Sequence, residues 1–270
     1  HSGNIRVESD EIYIYVDFYF AAQLEPGSVS AIGYASRLAT LTNMLFVTTA
    51  FVILEPRWAR AVTEDDAPWE KYIAPDILTV LSLIAAPLAA LYWFAPGVTD
   101  LIYRSSSFEQ QAQDLVNSLT QVFGLGTFAL ALSYVTTRAV IAAGHQRWIF
   151  IISLIVLPLK ILLSILLVPV YDTMGLAVAT VISFMALALG NLIVLTHAGH
   201  AQTVGVSGLL RLGLCFVTVF AMAGAAQLWI PAGSLGFICA AVGLSFLNII
   251  IGVICRFGYA EMFRAKVKKS

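Results

Sequence analysis

Stretches of about twenty apolar residues, the length a helix needs to cross a hydrocarbon core, recur along the whole of this chain. No other feature restricts the fold so tightly. A backbone in lipid must satisfy its N–H and C=O groups internally, and only helices and closed barrels do so. No period-two alternation competes with the runs, so the sequence predicts an all-α, polytopic membrane bundle. Eight windows are counted. The first ends at Leu24 and is continuously apolar only from Ile12; the others cover residues 29–54, 77–94, 116–141, 148–168, 175–195, 209–230 and 235–254. Only 11% of the 270 residues are charged, against roughly 25% in soluble domains. Residues 1–200 read as a six-helix lobe, and residues 201–270 as two further transmembrane helices with a basic tail. The chain opens HSGNIRVESDE, without the basic start and apolar core of a signal peptide, and reads as a fragment of a longer protein.

Residues 16–60 hold the most informative pattern. Two apolar arms flank Glu25-Pro26-Gly27-Ser28, where proline presets φ at one central position and glycine tolerates positive φ at the next, as a type II turn requires. The second arm carries Arg37. A guanidinium facing lipid costs about 2.5–3.5 kcal/mol, so Arg37 is expected to face protein or a water-filled cavity. Lys160 sits about twelve residues into the fifth window, roughly 18 Å along a helix. Ionisable residues at that depth are functional candidates. Its expected partner is either Asp17 or an amide such as Asn43 or Gln121. Asp17 itself reads as cavity-facing or paired, or as an end-of-helix cap.

The remaining polar residues carry weaker signals. Asn43, Asn117, Gln121, Asn191 and Asn248 fit interhelical hydrogen bonding. Ser107 with Gln110, or Ser106 with Glu109, fits a capping box at the start of the fourth helix. Gly27 and Gly175, each followed by small residues, open the second and sixth windows alike, a faint sign of a repeat. Cys215, Cys239 and Cys255 lie in apolar runs and read as small buried residues. His197 and His200 have no third metal ligand in view, and His145 falls in a turn. No catalytic constellation, glycine-rich phosphate loop or nucleic-acid-binding pattern appears, so neither an enzyme nor a cofactor is expected. Twelve of the fifteen Lys and Arg fall on one side of the eight-span arrangement and only Arg104 on the other, with Arg37 and Lys160 inside spans. Positive loops stay in the cytoplasm, which places both ends of the chain there. The tail from Arg264 to Lys269 would attract anionic membrane lipids.

The run D-x-x-x-A-x-x-L-x-x-G-S-V-S-x-x-x-Y-A-x-R-L, from Asp17 to Leu38, resembles the start of the second half of the lipid II flippases, the MurJ/MviN family of the multidrug/oligosaccharidyl-lipid/polysaccharide exporter superfamily. Arg104 to Phe108 resembles the family's R-G-x-F loop, Arg138 to Gly144 its helix ending in a small-residue turn, and Leu167-Val168-Pro169 before Gly175-Leu176-Ala177 its next hairpin. The likeness covers most of residues 12–196. Thr42 stands where the family usually has proline, Ser105 to Ser107 where it has glycine, Arg147-Trp148 where it has Thr-Pro, and Lys160 where a small amide is common.

The resemblance implies the C-terminal lobe of a bacterial cytoplasmic-membrane transporter, with a helix pair holding the lipid tail and the N-terminal lobe missing. The substrate implied is a lipid-linked oligosaccharide of the undecaprenyl diphosphate type, moved by alternating access. Arg37 would line the central cavity and attract the diphosphate, which a guanidinium binds bidentately; Lys160 and Asp17 are further substrate-binding candidates by their depth in the spans rather than by the resemblance. Alternatives are export of another polyprenyl-linked saccharide, or a non-transporting scaffold for cell-envelope synthesis. Transport calls for Arg37 and Lys160 on one concave face.

Overall fold

The computed structural model describes residues 15–64, 69–103, 110–200 and 206–229, with 238, 239, 241–246, 248 and 250 beyond them. All regular structure among these residues is helical: α1 (15–21), α2 (Ser28–Asn43), α3 (Thr49–Glu64), α4 (Ala74–Leu83), α5 (Ala85–Trp93), α6 (Ala95–Tyr103), α7 (Gln110–Ala142), α8 (Gln146–Leu195) and α9 (Val206–Gln227). Five stretches among the described residues are long and apolar enough to cross a membrane. Gln146–Ala198 is one of them and holds two antiparallel arms, as shown below. The capping-box serines, Arg104, Cys255 and the basic tail lie outside the described residues.

The hairpin turn forms as its residues require. Gly27 has φ 99° and ψ −18°, and the Ser28 N–H donates to the Glu25 carbonyl at 3.1 Å. From there the helix runs further than expected. A π-helical turn at Met44–Thr48 joins α2 to α3, and α3 continues through Pro56 to Glu64 instead of stopping at Leu54. Pro56 leaves the Val52 carbonyl without its helical N–H, yet the helix continues, and part of its charge is paired with other helices. Arg138 of α7 meets Glu55, Arg57 meets Asp76 at 3.3 Å, and the buried Trp58 indole donates to Asp76 at 2.9 Å.

The third window is also longer than expected. It divides into α4, α5 and α6, with breaks at Ile84 and Phe94. Pro87 removes the N–H that would reach the Leu83 carbonyl. Asn248 compensates, its amide donating to the Ser82 carbonyl at 3.0 Å and lying 3.5 Å from that of Leu83.

In α8 the chain passes Pro158 and Pro169 and reverses at Asp172, at φ 49° and ψ −132°. The two arms then pack antiparallel. A Cβ on Gly175 would lie 2.4 Å from the Leu167 carbonyl oxygen, and one on Gly190 would lie 2.7 Å from Ile152. Gly27 has open space where its Cβ would stand, so the two glycines of the suspected repeat serve different ends.

Helix α7 is the common wall, packing on α2, α5, α6 and α8. Its first half joins α1, α2 and Leu176 in one core, and its second half joins α3, α4, α5 and α9 in another. Asn191 donates to Thr137 at 2.9 Å and to Thr136 at 3.3 Å, tying α8 to α7 as interhelical glue. Cys215 is buried, but Cys239 is exposed, contrary to expectation, because apolar residues of a membrane helix face lipid as readily as protein. The described residues contain no cluster able to hold a metal ion.

Candidate functional site

Three of the longest-range contacts in the fold converge on Asp17. Lys160, on the first arm of α8, is fully buried and donates from Nζ to Asp17 Oδ2 at 2.9 Å. Thr180, on the second arm, places its hydroxyl 3.1 Å from each Asp17 oxygen and 3.0 Å from the Leu176 carbonyl. That hydroxyl has one proton and so serves one acceptor at a time. The sequence places these residues well. Apolar neighbours surround Lys160 on the first arm of α8, the Asp172 reversal brings Thr180 back beside it, and the 25–28 turn sets α1 against both arms. A lone buried ion is costly, whereas a paired and hydrogen-bonded one is tolerated.

The pair lines a cavity of about 320 Å³ enclosed by α1, α2, α7 and the two arms of α8. Its polar wall includes Ser36, Thr40, Asn43, Ser133 and Ser153, and its apolar wall includes Phe18, Phe123 and Phe184. Asn43 is 5% exposed, and its Oδ1 finds no hydrogen-bond partner among the described residues. The same holds for the Ser164 hydroxyl, one turn along the helix from Lys160.

Of the two partners the sequence left open for Lys160, the structure shows Asp17, but Arg37 does not join them. Arg37 is exposed on α2 and absent from the cavity wall, to which its neighbour Ser36 contributes. No carboxylate pairs with it among the described residues. The expected single concave face holding both Arg37 and Lys160 is not formed within this cavity. Sequence reasoning did not single out Thr180 as the third member of the buried group. Its position one helical turn beyond Leu176, facing the same neighbours, was the available signal.

A bundle of long apolar helices with an acid–base pair buried beside an internal cavity has the make-up of a multi-pass membrane protein. The chain belongs to the lipid II flippase MurJ family, whose model matches residues 6–243. The family is one of multi-pass transporters of the bacterial inner membrane that serve peptidoglycan biosynthesis, and its members are not enzymes. Among curated relatives, the lipid II flippase MurJ of Burkholderia cenocepacia is 26% identical over 131 residues, covering 48% of this chain and 25% of that protein. The probable lipid II flippase MurJ of Rhizobium tropici is 23% identical over 175 residues, covering 64% of this chain and 33% of that protein. The chain thus matches no more than a third of either relative's length. A solved lipid II flippase MurJ in an inward closed conformation superposes with a TM-score of 0.70 at 18% identity, over 92% of this chain and 51% of that one, which establishes the shared fold.

Proposed function

We propose that this chain forms one lobe of a flippase that carries lipid II across the bacterial cytoplasmic membrane by alternating access. The lobe would comprise six membrane crossings followed by a helix pair, with both ends in the cytoplasm. The observation that carries the reading is the family match across residues 6–243. The buried Asp17–Lys160 pair supports it, since ionisable residues at membrane depth mark transport pathways. In this reading Arg37 meets the substrate diphosphate from the exposed face of α2, where a second lobe would enclose it. Asp17 and Lys160 lie behind that face and support it from within the lobe.

The test is expression of the gene that encodes this chain, together with a complementary lobe, in a bacterium depleted of its own lipid II flippase. Restored growth and lipid II export are expected, together with their loss in Arg37→Ala at equal membrane abundance. Unchanged export in Arg37→Ala would remove the role given to that residue. Failure of the unaltered gene despite good expression would favour a different polyprenyl-linked saccharide as cargo.

A further inference from the structure

The cavity beside the ion pair is elongated along the bundle. Asp17, Lys160 and Thr180 stand at one end, and Thr48, Thr137 and Ile149 stand at the other, near the α7–α8 turn. Measured along α8, Lys160 lies roughly 16 Å beyond Ile149 at 1.5 Å per residue. Hydroxyls from Ser133 and Ser153 line the way, and the Asn43 Oδ1, buried and without a partner among the described residues, borders it. Most of the lining is apolar, but a buried acceptor beside hydroxyls is the kind of group that internal water satisfies. A space of 320 Å³ holds on the order of ten waters at about 30 Å³ each.

We propose that Asp17 and Lys160 form a proton-exchange site reached through this water-filled shaft from the α7–α8 side. Its purpose in a transport cycle rests on the flippase reading, whereas the site and its path do not. A proton from bulk water forms an O–H bond at one Asp17 carboxylate oxygen and removes an acceptor from Lys160 Nζ. The neutral pair then carries one positive charge, and release of the proton to the shaft restores it. An uncompensated ammonium inside the bundle is disfavoured, so protonation loosens the contact that ties α1 to both arms of α8. The ionisable groups facing Asp17 are Lys160 from the first arm of α8 and, further down the cavity, Tyr134 from α7. The second arm offers the uncharged Thr180, and α2 offers no ionisable side chain to the cavity wall.

The whole chain in lipid nanodiscs provides two readouts that do not need transport. Cysteines introduced as Ser153→Cys and Thr137→Cys should react with a water-soluble methanethiosulfonate about ten-fold or more faster than Leu154→Cys, which faces outward, because thiol reactivity follows access to water. Infrared titration should show a protonated-carboxyl band that Asp17→Asn abolishes and whose midpoint moves in Lys160→Met. Thr180→Val keeps both charged groups and should move the same midpoint, which guards against an Asp17 variant that fails to fold. Shaft cysteines no faster than Leu154→Cys, or no Asp17 band while the helical circular-dichroism spectrum persists, would overturn the proposal. Both readouts positive in a chain that flips no lipid even when co-expressed with a complementary lobe would uphold the proton site and count against the flippase reading.

Discussion

Lys160 and Asp17 are 143 residues apart in sequence and 2.9 Å apart in space, and each is tolerable in the bundle only because of the other. Removing one partner of a buried pair leaves a charge uncompensated, at a cost of about 3–5 kcal/mol, whereas replacing both with neutral groups is often close to harmless. Asp17→Asn and Lys160→Met should therefore each lower the thermal unfolding midpoint of the detergent-solubilised chain, and the double variant should recover most of the loss. Equal damage from the double variant would mean that the surroundings, rather than the partner, set the cost. This pair was half legible in the sequence: a lysine deep in an apolar helix calls for a polar partner, but composition did not choose between Asp17 and an amide such as Asn43 or Gln121. Arg37 was less legible. One residue turns a helix by about 100°, which separates Ser36 on the cavity wall from Arg37 on the outer face, and apolar composition alone does not fix that phase.

At the scale of elements, the turn at 25–28, the body of α7 and the second arm of α8 followed from turn chemistry and apolar length. The ends of α3 and the divisions between α4, α5 and α6 did not. Arg57–Asp76 and Glu55–Arg138 neutralise a segment that reads as a polar loop until its partners are known, and those partners come from other helices. The amide that covers the broken α4–α5 junction comes from Asn248, 166 residues away from Ser82. Asn248→Ala should orphan a buried carbonyl at about 1–3 kcal/mol, seen as a lower unfolding midpoint of the detergent-solubilised chain. Gly175→Ala would set a Cβ 2.4 Å from a backbone oxygen, which no rotamer relieves. It should lower the unfolding midpoint clearly, while Gly33→Ala, with open space at its Cβ, should leave it unchanged. Similar effects at both sites would show that helix propensity, not close packing, governs these positions.

For the molecule as a whole, alternating access needs two bodies that rock about a site between them. The bundle described here buries its ion pair but leaves Arg37 on an outer surface. Reconstituted alone, the 270-residue chain should flip no fluorescent lipid-linked sugar, and co-expression with a complementary lobe should restore flipping. Robust flipping by a monomer would refute this; flipping only by a dimer would mean that a second copy supplies the facing surface. The position of α7 has a further consequence. Both hydrophobic cores draw on it, Val116, Leu119 and Phe123 in one and Ala131, Val135 and Ala139 in the other. A ribosome making this chain releases the first six helices before the wall they share exists, so their inner faces must wait in the bilayer until residues 110–142 have been inserted.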